Sequence, residues 1–194
     1  MRKLVAFEHM TLDGYVASNE GAGFEAIGFT HRAYSDELSD YGDAHIRADV
    51  GTAVYGRETF VGMREYWSAV PQNPDATPHE RAHAAWVNTV EKIVFSTTLE
   101  TAGWNNARVI GSDVAAQVHA LKAGPGETMM IYASPTLVHS FVDLGLIDEF
   151  RIVVHPVILG GGTPLFLDKT KLDLDLVESK AFASGAVYLR YRIA

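Results

Sequence analysis

Two stretches of the chain place glycine, basic or hydroxyl-bearing residues directly after an apolar run. One is Gly56-Arg57-Glu58-Thr59, which follows the run 52–55, and the other is the triplet Gly160-Gly161-Gly162 within the apolar stretch 146–166. Glycine lets backbone N–H groups approach a ligand closely, and a helix N-terminus offers unpaired N–H groups to an anion. The pattern indicates a phosphate or nucleotide site, although the short turn at Gly56 is, taken alone, more typical of an ordinary strand-to-helix connection.

Two further junctions have the same character. Residues 128–132 lead into Ala133-Ser134-Pro135-Thr136, where serine and proline are typical of a helix start. Capping alone explains that junction. Residues 94–95 lead into Ser96-Thr97-Thr98, a hydroxyl cluster that could bind a ribose or its phosphate, although hydroxyl groups are common at strand ends.

Other residues with chemical potential have plainer interpretations. His79 and His83 share a helix face with Glu80 between them, but they lack the full His-Glu-x-x-His order and a third ligand, so we expect no metal site. Trp67 and Trp86 lie near helix ends and are expected to pack in the core or in an oligomer contact. His155 precedes a proline at a strand end and is expected to be a satisfied structural residue. Gly-x-Ser-x-Gly is absent, which disfavours a hydrolase.

Composition excludes several classes of protein. The chain has 194 residues, 47% of them hydrophobic, a net charge of -8 and no cysteine. Excess negative charge argues against binding to nucleic acid or a membrane surface, and the lack of cysteine removes disulfides and thiolate chemistry. The N-terminal apolar stretch is interrupted by Glu8 and His9, so it is too short for a signal peptide or a membrane span. We expect one domain over residues 1–194 in a soluble cytoplasmic protein.

The elements that must position these residues alternate along the chain. Apolar runs predict strands at 4–7, 52–55, 92–95, 108–110, 128–132, 149–155 and 186–193. Helices are predicted at 30–48, at 57–67, from the capping box that begins at Thr77, at 113–122 after Ser112, and from Pro135 to Val142 with Ser134 as the cap. This alternation favours an α/β fold with a mostly parallel sheet, helices on both faces and an antiparallel C-terminal pair.

Four segments in this order resemble the dihydrofolate-reductase-like family, in particular the C-terminal reductase domain of bacterial riboflavin biosynthesis. They are residues 1–17, the turn Gly56-Arg57-Glu58-Thr59-Phe60, residues 92–99 and residues 146–166, and together they span nearly the whole chain. The resemblance implies a three-layer α/β fold with a central twisted sheet of about eight strands. It also implies NADPH, bound across the carboxyl ends of the strands, and a small-molecule substrate.

By position, the resemblance implies cofactor contacts at four places. Gly56, Arg57 and Thr59 match the turn that holds the phosphates, and Ser96 and Thr97 match the strand end that meets the 2'-phosphate. Ala133, Ser134 and Thr136 match the turn under the pyrophosphate. The loop that includes Val16 and Ala17 lies beside the nicotinamide in the family, and Gly160, Gly161 and Gly162 match a glycine loop near the same cleft.

Two departures from the family pattern concern the cofactor. Many relatives have glycine where this chain has Ala133, which would hold the backbone farther from the pyrophosphate if that position needs positive φ. Many also have a basic residue in place of Thr97, which leaves Arg57 as the main charge for a 2'-phosphate. A preference for NADPH over NADH would therefore depend on Arg57.

The proton donor is the open question for hydride transfer. Asp13 is the first candidate by its family position, although Asp-Gly is also a common turn. Glu8 and His9 are the next candidates, because adjacent ionisable residues on a strand either face opposite ways or include a buried group that needs a partner. Asp36 on the following helix is the last.

The sequence leaves two functions open. One is an NADPH-dependent reductase of a small heterocyclic substrate, such as a pterin or an aminopyrimidine, or of a carbonyl compound. The other is a nucleotide- or ligand-binding protein on the same fold that has lost the chemistry. Residues 68–88 line the cleft or build a dimer contact in this interpretation. A homodimer is expected, because relatives are commonly dimeric and the strands 149–155 and 186–193 need a covered edge.

Overall fold

A computed structural model describes residues 1–21 and 23–194, and within them the chain forms a twisted eight-stranded sheet and a two-stranded ribbon. The strands are β1 (Leu4–Thr11), β2 (Tyr15–Ala17), β3 (Val50–Gly56), β4 (Glu91–Phe95), β5 (Ala107–Ile110), β6 (Thr128–Tyr132), β7 (Glu149–His155), β8 (Thr163–Pro164), β9 (Leu174–Ala181) and β10 (Val187–Ile193).

Strand order in the large sheet is β5-β4-β3-β6-β1-β7-β10-β9, and β2 pairs with β8 in the ribbon. The six strands from β5 to β7 run parallel, whereas β10 is antiparallel to both β7 and β9. The expected mostly parallel sheet with antiparallel C-terminal strands is therefore confirmed. Because parallel strands share one direction, the residues that follow β1, β3, β4, β6 and β7 meet at one edge of the sheet.

Helices cover both faces of the sheet. They are α1 (Asp36–Tyr41), α2 (Arg57–Ala69), α3 (Pro78–Thr89), α4 (Val114–Ala123) and α5 (Pro135–Asp143). Val118 of α4 and Phe141 of α5 pack with Leu4 and Ala6 of β1 on what we call the first face. Phe60 of α2 packs with Val5 and other residues on the second face, where α1 and Trp86 of α3 also lie. Successive side chains of β1 point to opposite faces of the sheet, so β1 contributes residues to two separate hydrophobic cores.

The single helix predicted over residues 30–48 is wrong. A 3₁₀ helix spans Glu25–Ala33, the chain is extended at Tyr34, and α1 then runs directly into a π turn at Gly42–Ile46. The break has a local cause, since the Ser35 hydroxyl accepts a hydrogen bond from Leu38 N at 3.2 Å and so starts a new helix.

Other boundaries differ in smaller ways. β1 continues to Thr11, and the sequence patterns gave no indication of β2, β8 or β9. The helix expected from residue 113 begins at Val114, with Asp113 held at φ 52° in the N-cap position. The capping box at Thr77 is confirmed, because its hydroxyl accepts from Glu80 N while the Glu80 carboxylate accepts from Thr77 N. No helix in the described chain is long and apolar enough to cross a membrane.

Candidate functional site

The carboxyl edge between β3 and β6, which we call the crevice, is the place where the chain reverses its direction of travel across the sheet. β3 leads into α2 on the second face, whereas its neighbour β6 leads into α5 on the first face. Helices that leave adjacent strands toward opposite faces separate at the top of the sheet, and ligands of open α/β sheets bind in such openings. The N-termini of α2 and α5 both begin at this point.

Gly56 and Ser134 meet across the crevice. The Gly56 amide donates to the Ser134 hydroxyl at 3.0 Å, and that hydroxyl donates to Tyr132 O at 3.0 Å. The Ser134 side chain therefore does not cap α5 in the way the sequence suggested. Gly56 has ordinary extended dihedrals (φ -79°, ψ 166°), so the turn does not need glycine for its backbone conformation. A Cβ at Gly56 would lie in ordinary van der Waals contact with the Ser134 Cβ at 3.6 Å and the Leu137 Cβ at 3.7 Å.

Ala133 and Ser134 both adopt the left-handed backbone region, with φ of 47° and 65°. The sequence raised the question of whether the alanine position requires positive φ, and the structure shows that it does. Such a conformation costs a non-glycine residue free energy, and strain of this kind is concentrated at functional sites. The Ala133 amide donates to Phe7 O at 3.1 Å, which ties this turn to β1.

The polar residues of the neighbouring strand ends line the same edge. Arg57 is the first residue of α2, its side chain is half exposed, and it pairs with the exposed carboxylate of Glu58. Thr59 lies two residues after Arg57 on α2 and is partly buried. Ser96 follows β4, next to β3, and its hydroxyl accepts from the amides of Thr98 and Leu99 at 3.2 and 2.9 Å. Thr97 and, at the start of α5, Thr136 are exposed.

The ribbon of β2 and β8 packs on the first face beside this edge. Val16 is buried there with Leu165. Gly162 (φ 145°) passes so close to Ala17 that a Cβ would lie 2.2 Å from the Ala17 carbonyl oxygen, so no other residue fits. Gly160 also has positive φ, at 72°, and Gly161 is the residue between them.

Asp13 holds the two loops of the ribbon together. Its carboxylate accepts hydrogen bonds from the Thr11 hydroxyl at 2.7 Å, from Gly160 N at 2.7 Å and from Leu159 N at 3.2 Å. The Thr11 hydroxyl, and then the two amides, hold the pKa of Asp13 below its usual value. Asp13 is therefore ionised at neutral pH and anchors the glycine loop, and its role in proton transfer stays a prediction.

Glu8 and His9 face opposite sides of β1, as the first of the two alternatives from the sequence required. Glu8 points to the first face, is 3% exposed, and its Oε1 has no hydrogen-bond partner within residues 1–21 and 23–194. Burial raises the pKa of Glu8 well above its usual value. By register it lies between Ile152 of β7 and the strained Ala133 that follows β6.

His9 points to the second face and meets His155 of the neighbouring strand. His9 Nδ1 and His155 Nε2 lie 2.8 Å apart. His155 is fully buried, and its Nδ1 has no partner among the described residues, so the expectation of a satisfied structural histidine is wrong. Burial and the neighbouring His155 lower the pKa of His9 to about 3, and burial lowers the pKa of His155 to about 4. Both imidazoles are thus neutral at pH 7.

A continuous series of rings, here called the aromatic row, extends from this histidine pair along the second face. Neighbouring ring centroids lie 5.1 to 5.8 Å apart in the order Phe29, His155, His9, Phe7, Tyr132 and Trp86. Tyr132 and His155 are buried, whereas the other four members are only partly buried. Residues 68–88 contribute Trp86 to the row, and their role in lining the cleft stays a prediction.

The remaining candidates lie elsewhere. Asp36 is exposed at the start of α1 and pairs with His79 of α3 at 3.4 Å. Within the described chain it makes no hydrogen bond to Glu8, His9 or Asp13. His83 contacts Arg47 and stacks near Trp67, so it has different partners from His79. The structure shows no group of three or more potential metal ligands within the residues it describes.

Sequence reasoning missed the role of His155 and of the aromatic row. Alternation along β1 and β7 assigns His9 and His155 each to a face of its own strand, but their contact depends on β1 and β7 being neighbours in matched register. The two residues are 146 positions apart in the sequence, so no local sequence pattern could predict that they pair.

Comparison with known proteins identifies the family. The RibD C-terminal domain family matches residues 2–188. Among proteins similar over their full length, YyaP of Bacillus subtilis strain 168 is 32% identical over 191 residues, which cover 98% of this chain and 94% of YyaP.

Solved structures support the same fold. A pyrimidine reductase-like protein from Corynebacterium diphtheriae superposes with a TM-score of 0.65 at 15% identity, covering 100% of this chain and 92% of the other. Dihydrofolate reductase from Enterococcus faecalis, in a complex with NADP(H), superposes with a TM-score of 0.59 at 13% identity, covering 98% of this chain and 96% of the other. The fold is therefore that of the dihydrofolate-reductase-like proteins, as the sequence resemblance implied.

Proposed function

Since the chain belongs to the RibD C-terminal domain family, we propose that it is an NADPH-dependent reductase that transfers a hydride to a small heterocyclic or carbonyl substrate. The observation that carries this proposal is the crevice between β3 and β6. There two helix N-termini, the Gly56–Ser134 contact and the strained turn at Ala133 converge at the point where the strand order reverses.

The residues of the crevice fit a dinucleotide. The missing side chain at Gly56 and the N-termini of α2 and α5 suit a pyrophosphate, with Thr59 and Thr136 as hydroxyl donors. Arg57 supplies positive charge for the 2'-phosphate, with Ser96 and Thr97 on the adjacent strand end. Val16, Ala17 and the loop of Gly160, Gly161 and Gly162 would border the nicotinamide from the ribbon. When bound, NADPH supplies the hydride, and the chain supplies position and a proton path.

The groups available for the proton path differ in charge. Asp13 is ionised and engaged with the glycine loop, so it acts on the reaction by holding that loop in place. Burial raises the pKa of Glu8 and keeps its carboxyl away from the surface, whereas His9 is neutral and partly exposed. Among the four proton-donor candidates, Asp13, Glu8, His9 and Asp36, it is His9 that is both partly exposed and part of the aromatic row.

A second candidate function is ligand binding without turnover. The observation that favours it is the positive φ of Ala133, because a methyl group occupies the place where close backbone approach to a pyrophosphate would favour glycine. Turnover separates the two functions. Steady NADPH oxidation with any planar carbonyl or heterocyclic acceptor supports the reductase, whereas tight NADPH binding with no oxidation across a broad acceptor panel supports the binding protein.

The direct test of the cofactor assignment is Arg57→Ala. A guanidinium at a helix start makes charge-assisted bonds to phosphate, so its removal should weaken NADPH binding relative to NADH by about tenfold or more. Fluorescence titration of both cofactors measures the ratio.

Arg108→Ala is the matched control, because Arg108 is also half exposed and ion-paired but lies on β5 near Glu91, away from the crevice. An equal loss of NADPH and NADH affinity in Arg57→Ala would remove the 2'-phosphate role. Failure of the unaltered protein to bind either cofactor would remove the proposed function.

We also propose a cytoplasmic homodimer. β10 covers the outer edge of β7 and is itself covered by β9, so the edge that needs protection belongs to β9, where Leu176 and Val177 are 56% and 49% exposed. Sedimentation at micromolar concentration should give about twice the chain mass of 21.2 kDa. A monomer over the whole accessible concentration range contradicts the dimer and leaves the catalytic proposal untouched.

A further inference from the structure

The hydrogen bond between His9 and His155 restricts where each imidazole carries its proton. In a neutral pair with Nδ1 of His9 facing Nε2 of His155 at 2.8 Å, one nitrogen donates and the other accepts. If His155 carried its proton on Nδ1, a buried N–H would lack a partner, because that atom has none in the part of the chain that the structure describes. Orphaned buried N–H groups are rarer than orphaned acceptors, so the proton belongs on His155 Nε2.

The tautomer of His9 follows from that choice. His155 Nε2–H donates to His9 Nδ1, so the single proton of neutral His9 lies on Nε2. Nε2 is neither hydrogen-bonded within the described chain nor among its fully buried polar atoms, and the residue is partly exposed. The low pKa values of both rings agree with this arrangement. A proton added to His9 Nδ1 would place two donors against each other, and a proton added to His155 Nδ1 would create a buried N–H without a partner in the described chain.

The surroundings of this N–H define what it can meet. Phe7 packs edge-on against His9 at 5.2 Å and Phe29 packs edge-on against His155 at 5.6 Å, so apolar ring edges flank the pair. The members of the aromatic row carry no charge at neutral pH, and Glu8 points to the opposite face. The Arg47 guanidinium lies 5.3 Å from the ring centroid of Trp86, at the end of the row away from the histidine pair. A ligand seated on this surface is therefore favoured if it is planar and uncharged and presents an acceptor oxygen or nitrogen to His9.

We propose that His155 is a positioning residue that fixes His9 as an Nε2–H donor, and that this donor recognises the carbonyl oxygen of a planar, uncharged, conjugated carbonyl compound on the aromatic row. The substrate class rests on the proposed reductase function, whereas the tautomer does not. A neutral imidazole N–H that polarises a carbonyl is an established form of electrophilic assistance.

Long-range ¹H–¹⁵N correlation spectra of labelled protein at neutral pH test the tautomer directly, because Nδ1–H, Nε2–H and imidazolium rings give different patterns. His9→Phe and His155→Phe assign the two rings, and His119→Phe, at an exposed position on α4, is the control. We expect His9 and His155 both as Nε2–H, and we expect His155→Phe to let the Nδ1–H or charged form of His9 appear. A His9 ring that is charged or protonated on Nδ1 in the unaltered protein overturns the proposal.

Ligand class is tested with two probes that share a ring system, 1,4-naphthoquinone and naphthalene, measured by equilibrium dialysis. The absence of cysteine removes the usual thiol addition to quinones. The ratio of the two affinities should shift toward naphthalene by about tenfold in His9→Phe, and His9→Gln, which keeps an N–H donor, should restore part of it. An unchanged ratio in His9→Phe overturns the carbonyl-donor role.

These outcomes are separable from failure of the proposed function. If NADPH does not bind, the tautomer and the quinone preference can still be measured, because neither needs the cofactor. If NADPH binds and Arg57→Ala behaves as expected but the quinone preference does not depend on His9, only the present inference falls.

Discussion

Strand β7 carries polar side chains at both of its ends on one face, and the two groups differ in how fully their hydrogen-bonding atoms are paired. Near its start, Arg151 donates to Glu149 at 2.8 Å, to Asp49 at 2.8 and 3.0 Å, and to the Ile46 carbonyl. At its end, His155 has one hydrogen bond and one buried nitrogen without a partner in the described chain. Both groups lie on the second face.

The difference separates a satisfied ion-pair cluster from the site that we propose for ligand binding. Burying an ion is tolerable only when its charge and its hydrogen bonds are satisfied, and the Arg151 cluster meets that condition with Arg190 as a second cation on Glu149. At the carboxyl edge, burial instead lowers the pKa values of His9 and His155, so that both imidazoles are neutral, and raises the pKa of Glu8. Neutral groups with spare hydrogen-bonding capacity can respond to a ligand, which ion-paired groups cannot do without loss of stability.

The largest expected effect on stability comes from removing Arg151 from its buried ion-pair cluster. Arg151→Met would leave Glu149 and Asp49 facing each other across a space that Arg151 fills with 1% exposure. Removing one partner of a buried ion pair typically costs 3–5 kcal/mol, so we expect a loss of about 3 kcal/mol in the free energy of unfolding. Urea denaturation of the purified variant measures it.

Arg192→Met is the control for that experiment, because its ion pair with Asp175 is 62% and 53% exposed and should contribute less than about 1 kcal/mol. If the two variants lost similar stability, the cluster around Arg151 would not be the structural anchor that its geometry indicates.

Asp13 lies at the carboxyl edge, but its carboxylate already accepts hydrogen bonds from Thr11, Leu159 and Gly160. Asp13→Asn tests whether the residue acts in the reaction or only holds the loop. An asparagine side chain can accept from only one oxygen, so its amide would face either Thr11 or the amides of Leu159 and Gly160 as a second donor. The glycine loop should shift. We expect the single-turnover rate of NADPH oxidation to fall by about 10²-fold with the affinity for NADPH nearly unchanged.

A rate that keeps its value and its pH profile in Asp13→Asn would remove Asp13 from the reaction and leave it as a turn residue. A rate that falls only at low pH would point to proton transfer by the carboxyl group instead of to loop position. The pKa of Asp13 lies below its usual value, so this second outcome would have to be seen in the acid range.

The sequence predicted the central sheet and the family well, because glycine and hydroxyl residues at strand ends are local signals. It could not predict the ribbon, since β2 and β8 have three and two residues and are too short to show a period. The helix over 30–48 failed because an apolar pattern does not reveal that Ser35 starts a new helix. The histidine pair and the Arg151 cluster depend on contacts more than 100 residues apart, which only the folded topology brings together.

The smallest expected effect contrasts Glu8 with Glu149 through pH. Burial raises the pKa of Glu8 in the folded state, so the unfolded chain releases this proton first and stability falls as pH rises above the unfolded value. The pKa of Glu149 is lowered, because the hydrogen bonds from Arg190 and Arg151 outweigh its burial, so its contribution is present above the unfolded pKa and is lost as pH falls through the folded value. Glu8→Gln should therefore gain stability over the parent protein between pH 5 and 8, and Glu149→Gln should lose it over the same range, with both differences shrinking toward acid. Urea titrations at a series of pH values measure the two slopes. Parallel slopes for Glu8→Gln and the unaltered protein would mean that Glu8 ionises normally, and the contrast between the two ends of the site would then rest on the histidine pair alone.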